Sequence, residues 1–570
     1  MTSHSHLFDS ALYAYHHLTK HTVQKLMASG HYLDWDNQPD PFRLYQGAPY
    51  LELPRNLSVS GLSYFQALAA TLAGQGIDTA YPLPEPEPPD LSFVSTLLFY
   101  GMAISAWKQI PHTEHRWSLR VNPSSGNLHP TETHLIVHSI SGLEPGLYHY
   151  SVKGHALEQR GGGSRRSNIW ELITSSTDCP PLTICLTSIF WREAWKYRER
   201  AYRYCQHDLG HALAAILLSA GTLGWRGQII GEFPDQQLAQ LLGLTSSDER
   251  PALLIGLRPG LKIPELSPEP EKRSVDWRTD GSNFSGIPNR LSAEEVPYLS
   301  IAEMHRATCL SLQSWQSRRG QNRPASALRP SNVSACGPEI SCFGQTTDPD
   351  SESQAGVHQI VRKRRSAVDL DGIQRMSKEH LAQILSTSTR GFSADFQRPT
   401  AWAPDPVPAD LGHHLIHLYL YVHRVDDVTP GIYYFDRTKR TLVPLLYSDQ
   451  REPAKFVSCF QDIAADGCFA VSMIADLELA VELYGDRGYR YVHFEAGLIG
   501  QWLYLSATAL GYEATGIGCF IDDMINKHLD LLPGLEVIYN FTVGRAVLDP
   551  RLTTLPAYDF PDPTEVDLKQ

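Results

Sequence analysis

The chain has 570 residues, 42% of them apolar and 19% charged, a composition that fits a globular protein of about two to four domains. A net charge of −13 argues against a nucleic-acid footprint, and no apolar run reaches the roughly 18 residues that span a bilayer. Met1–His6 has neither the charged nor the apolar region of a signal peptide, so the cytoplasm is the expected location.

The N-terminal stretch carries Trp35, Pro39, Pro41, Phe42, Tyr45 and Pro49, and is expected to wrap a surface rather than coil into a helix. Tyr81–Pro89 is a proline-rich loop. Asp90 or Ser92 then caps a helix through Leu97, Leu98 and Met102. Thr133–Ile140 alternates and is β-branched, so it reads as a strand; Pro145-Gly146 turns it back into Leu147–Tyr150. Leu182–Leu186 is a short buried strand, Cys205–Gly224 an amphipathic helix and Ala252–Leu257 a last strand.

From about 265 to 355 the chain is rich in Ser, Pro, Asn and Gly and reads as an irregular linker or insertion, with one helix expected within Ile301–Trp315. The earlier pattern then returns. Ser377 caps a helix through Leu381, Ile384 and Leu385, Leu415–Val422 is a strand, and Pro430-Gly431 is a hairpin turn. Phe494, Leu498, Trp502, Leu505 and Ala509 line a long helix, and Val537–Val543 is the final strand. Nine cysteines without a CxxC do not make a disulfide framework. Cys336 and Cys342 lack a matching His pair, and His413, His414 and His417 lie around a strand, so no metal site is expected.

The return is a true repeat. Lys196–Tyr204 (KYRERAYRY) comes back as Leu483–Tyr491 (LYGDRGYRY), and Gly142–Tyr150 comes back as Val428–Phe435. The offset of roughly 285 residues is a domain duplication rather than a solenoid period. The expected architecture is therefore α+β in two tandem copies, residues 1–265 and 356–570, closing on each other as a pseudo-dimer around the 266–355 insert.

Three elements have the chemistry of a site for a phosphate and a flat ring. Arg364, Arg365 and Ser366 offer guanidinium forks and a hydroxyl that suit a phosphate. Pro123, Ser124, Ser125, Gly126 and Asn127 bring hydroxyls and an amide to a turn where backbone approaches closely. Gly516, Ile517 and Gly518 leave space for a backbone N–H to face a ring atom, and Arg545 after the last strand offers a further phosphate contact.

These elements, with Gly142–Tyr150, Trp195–Tyr204, His207–His211, Tyr489–Gly497 and Gly516–Asp523, resemble the FMN-dependent nitroreductase fold family. Together with Tyr15–His21 and Leu33–Trp35 they are most similar to its SagB/ThcOx-type dehydrogenases, the azoline oxidases of thiazole/oxazole-modified peptide pathways. The resemblance covers both copies but not the insert. It implies FMN at a subunit interface, with the Arg-Arg-Ser element and the late glycines from one side and the Pro-Ser-Ser-Gly-Asn turn from the other. In register, Arg364–Ser366 faces Ile77-Asp78-Thr79, Gly516 faces Ile229 while Gly518 keeps Gly231, and the serine turn faces Pro408–Gly412, which lacks both hydroxyls. Each copy has lost what the other retains, so one FMN per chain is expected between them.

In the azoline oxidases a Lys-Tyr pair supplies the base that takes a proton as hydride leaves; the resemblance gives this role to Lys196 and Tyr197, whose counterparts are Leu483 and Tyr484. The implied activity is oxidation of an azoline in a small-molecule or modified-peptide substrate, with a cyclodehydratase as biosynthetic partner and neither nucleic acid nor membrane involved. Two other readings are an NAD(P)H-driven reductase of nitro compounds or quinones, and a degenerate scaffold without redox chemistry.

Overall fold

The computed structural model describes residues 7–28, 32–73, 84–162, 179–244, 248–260, 284–318, 330, 333–342, 355–392, 394–397 and 414–559. Two seven-stranded antiparallel sheets repeat one order. In the first copy the strands run, edge to edge, Tyr50–Glu52, Ala156–Gly162, Gly146–Ser151, Thr131–Val137, Leu182–Ile189, Glu249–Pro259 and Trp225–Ile230. In the second they run Ile340–Ser341, Thr441–Tyr447, Gly431–Asp436, Ile416–Val422, Phe469–Asp476, Leu535–Gly544 and Glu513–Ile517.

Even an irregularity is duplicated. The register shifts between Pro251 and Leu253 in the first sheet and opposite Met473/Ile474 in the second, which leaves one extra residue, Ala252 or Ile538, in the final strand of each copy. A bulge of this kind re-aims the neighbouring side chains.

Seven helices position the site: α1 (Ala11–Leu18), α2 (Phe190–Tyr197), α3 (Ala201–Thr222), α4 (Leu299–Thr308), α5 (Leu312–Arg318), α6 (Gly488–Ala509) and α7 (Asp522–His528). The long helices α3 and α6 are buried along nearly their whole length. They approach closely at Gly210 and Gly497, where a Cβ on either glycine would fall about 3 Å from the other's Cα. One apolar core runs through both copies, joining Leu97, Leu186 and Leu213 to Leu420, Leu498 and Trp502. The α+β pseudo-dimer expected from the repeat is thus a single packed body.

Most predicted elements form within a few residues of their expected limits. Asp90 caps its helix by accepting from Phe93 N, and Ser377 does the same from His380 N. The single helix expected within Ile301–Trp315 is instead two. Asp235 accepts from Leu310 N at 2.8 Å and its own N–H donates to Leu310 O at 3.1 Å, a tertiary bridge that replaces the helical bonds there.

The two copies are clamped by mirrored ion clusters. Asp522, in the first turn of α7, takes Arg200 and Arg203 at 3.0 and 2.9 Å. Its counterpart Asp235 takes Arg487 and Arg490 at 2.7 and 2.8 Å. All six side chains are buried. In the same symmetry Tyr204 donates to Gly518 O and Tyr491 to Gly231 O.

Candidate active site at the junction of the two copies

The structure brings the serine turn of the first copy and Arg364 of the second to one junction. Arg364 is buried and donates through Nε and Nη2 to the carbonyls of Val121 and Arg120, on the strand that leads into the turn. Its guanidinium lies over the Tyr504 ring, 5.1 Å from the centroid. Ser366 hydrogen-bonds the Tyr504 hydroxyl at 2.9 Å, and the same hydroxyl accepts from Gly516 N at 2.9 Å, so Tyr504 ties the phosphate-type element to the late glycines.

Gly516 is small because Tyr539 crosses it; a Cβ there would overlap the Tyr539 hydroxyl. Tyr539 stacks on His207 at 4.4 Å and meets His211 Nε2 at 3.1 Å, both from the first copy. Ile517 points instead into the apolar core of its own copy. Gly518 lies against Tyr204. Arg365 donates to Ser105 and to the carbonyls of Arg362 and Arg364, while Arg545 is exposed and donates to Gly511 O.

On the first-copy side Pro123 is buried and the turn is held from beneath by acids. Asp208 on α3 accepts from Ser125 N at 3.1 Å and from Ser125 Oγ at 3.1 Å. Ser124 Oγ accepts from His129 N and reaches Glu193 on α2 at 3.5 Å. Asn127 bonds Ser118 O and His129. Gly126 is in the left-handed region at φ 59°; a side chain there would meet the Tyr197 hydroxyl and Lys196 Nζ within about 3 Å. Lys196 and Tyr197, at the end of α2, therefore border the turn, half-buried beside an exposed Gly126.

Burial pushes the Asp208 carboxyl up to about 7, against the stabilising donors on Ser124 and Ser125. Glu193 is raised well above the usual carboxylate range by burial and by Asp208, with Lys196 opposing. Two acids that share one low-dielectric spot hold protons near neutrality. The sequence reading gave no role to Glu193, Tyr504 or Tyr539, nor to Asp208 and His211, which it singled out only as part of the stretch His207–His211. An acid set among Leu209, Ala212 and Leu213 on a buried helix face was the available signal for Asp208.

The mirrored junction is filled by the chain. Asp395 accepts from Gly231 N at 2.8 Å and Glu232 N at 3.1 Å. Phe396 stacks on Tyr491 at 3.9 Å and 3° and lies against Gly231. Glu495, the counterpart of Asp208, accepts from Leu415 N and pairs with Arg437. The segments expected opposite the arginines and the serine turn, Ile77–Thr79 and Pro408–Gly412, lie outside the described residues.

The nitroreductase family model matches residues 104–260 and 361–545, one segment in each copy and more than half of the chain. The chain belongs to the nitroreductase family. It is therefore an oxidoreductase of an FMN-dependent class. A nitroreductase-class structure from Anabaena variabilis superposes with a TM-score of 0.69 at 24% identity, covering 94% of this chain and all of that one, so the whole tandem fold is shared. A nitroreductase-class protein of Methanocaldococcus jannaschii is 28% identical over 187 residues, 32% of this chain and 88% of its own length. The trifolitoxin-processing protein TfxB of Rhizobium leguminosarum bv. trifolii is 33% identical over 150 residues, 25% of this chain and 39% of TfxB. Among the described residues no helix is long and apolar enough to cross a membrane.

The residues fit the family's cofactor. Arg364 Nη1 is buried without a hydrogen-bond partner, and no carboxylate is paired with this guanidinium among the described residues. An unpaired buried cation is costly, and an anionic phosphate is the partner that would remove the cost.

Proposed function

We propose that the chain binds one FMN at the Arg364–Ser125 junction and oxidises an azoline, a thiazoline or oxazoline ring within a modified peptide, to the aromatic azole. Arg364 and Ser366 would hold the phosphate, with Arg365 and Arg545 as further cations. Pro123, Ser124, Ser125, Gly126 and Asn127, with Gly516, Ile517 and Gly518, would shape the ring pocket. Bound FMN supplies hydride acceptance, which no protein side chain offers.

Aromatisation also removes a proton, and the residues at the turn are arranged to take it. Lys196 Nζ and the Tyr197 hydroxyl both border Gly126, the exposed corner of the turn. Behind them Asp208 and Glu193 hold protons near neutral pH and fix Ser124 and Ser125 by hydrogen bonds. The observation that carries the reading is this pairing of Lys196–Tyr197 with the serine turn of one copy, opposite the unpaired Arg364 of the other. The similarity to TfxB, named for processing of trifolitoxin, supports a peptide product, and with it a cyclodehydratase as the partner that makes the azoline.

The test is turnover of a thiazoline-bearing peptide by the FMN-loaded protein under air. Oxygen uptake and appearance of a thiazole support the reading. Flavin cycling that requires NAD(P)H and a nitro or quinone acceptor, with the thiazoline untouched, replaces it with the reductase.

A further inference from the structure

Beside the late glycines two cysteines meet from different loops. Cys519 follows Gly518, and Cys459 lies in the loop after the helix Arg451–Val457. Their sulfur atoms are 2.6 Å apart, and His21 Nδ1 lies 3.9 Å from the Cys519 sulfur. The loops are fixed against each other: Ile521 N donates to Val457 O at 2.8 Å, and Gln461 Nε2 to Cys519 O at 3.1 Å. Cys459 and Phe460 both adopt left-handed backbone, at φ 56° and 62°, a conformation that non-glycine residues reach only when their surroundings hold them there. Both thiols are partly accessible. Two thiolates on one metal ion, each at about 2.3 Å in tetrahedral geometry, would stand about 3.8 Å apart, so this spacing favours a sulfur–sulfur bond over a metal.

We propose that Cys459 and Cys519 form a peroxide-sensitive thiol–disulfide pair, with Cys519 the attacking sulfur and Cys459 the resolving one. The Cys519 thiolate attacks one peroxide oxygen, giving Cys519–SOH and releasing hydroxide. The Cys459 thiol then displaces water from that sulfenic acid and closes the disulfide. Two thiols and one hydrogen peroxide become one disulfide and two waters.

The roles follow from the surroundings. The hydrogen bond with Cys459 holds the Cys519 thiol below its usual value against the opposing effect of burial, and His21, whose Nδ1 lies 3.9 Å from the Cys519 sulfur, and Arg200 act in the same direction. Cys459 moves the other way, raised by that bond and by burial. The remaining charged and titratable neighbours are Asp522, beside Cys459, and Tyr197 and Tyr204, which feel the Cys519 charge.

The full-length chain is treated with equimolar hydrogen peroxide, blocked with N-ethylmaleimide and mapped by mass spectrometry. A Cys459–Cys519 linked peptide, two hydrogens lighter than the thiols, is expected, and dithiothreitol should reverse it. In Cys459→Ser, dimedone should trap sulfenic acid at Cys519. At pH 6, iodoacetamide should label Cys519 in the untreated protein about tenfold faster than the exposed Cys336. The proposal falls if both thiols remain alkylatable after peroxide, or if the untreated chain retains one equivalent of zinc that Cys459→Ser and Cys519→Ser both lose. The mapping uses the native chain and holds whatever the substrate of the flavin site.

Discussion

Lys196 and Asp208 carry different kinds of test. If Lys196 takes the substrate proton, Lys196→Ala should lower kcat about 100-fold or more while the flavin spectrum and the thermal midpoint stay unchanged. Unchanged turnover would remove the role. Asp208 titrates in the folded protein near 7, above its ordinary value of 3.8. The folded state keeps this proton while the unfolded chain loses it, so stability falls as pH rises from about 4 to 7. The step is on the order of 4 kcal/mol, and Asp208→Asn should flatten it in urea titrations at stepped pH. At this scale the sequence was legible where chemistry is dense: Ser124, Ser125, Gly126 and Arg364 are unusual together. Tyr504 and Tyr539 were not, since on a buried helix and a strand they look like core aromatics until the fold sets Arg364 over Tyr504 and the other copy brings His211 to Tyr539.

The strands of the first sheet conceal an ionic layer that their pattern does not announce. Glu132, His149 and Glu158 sit on three adjacent strands, with His149 at 3.1 and 2.8 Å from the two acids and Arg192 on Glu132. In the second copy the positions of Glu132 and His149 hold His417 and Tyr434, with His417 Nδ1 3.3 Å from the Tyr434 hydroxyl. Burial opposes charge on His149, but the hydrogen bonds to Glu132 and Glu158 win and raise it to about 9. This stabilisation is complete below about pH 6.5 and is lost as pH climbs through 9. His149→Gln should remove that alkaline step and cost about 3 kcal/mol at pH 6, read by chemical denaturation. The elements themselves were readable because periodicity and caps such as Asp90 and Ser377 are local. The break between α4 and α5 was not, because Asp235, which causes it, comes from another part of the chain.

Duplication explains the molecule as a whole. A homodimer would carry two equivalent junctions; here the copies have diverged, and the proposed site takes Arg364 from one and the serine turn from the other. The other is stopped by Asp395 and Phe396, which occupy the amides and the aromatic face that Gly518 and Tyr204 present at the first. That plug could not be read from the sequence, since a single acid and phenylalanine in a loop carry no signal without the pseudo-two-fold. What survives unchanged on both sides is the clamp. Asp235→Asn leaves two buried arginines short of their counter-charge and should destabilise the chain by about 3–5 kcal/mol, with the copies unfolding in one transition. A separate, early transition for one copy would show that they are not one body. The central claim is a single competent junction, and flavin stoichiometry after reconstitution and desalting tests it most directly. One FMN per chain, released when Arg364→Ala removes the unpaired guanidinium, is the predicted result; two per chain, or one that Arg364→Ala leaves in place, would contradict it.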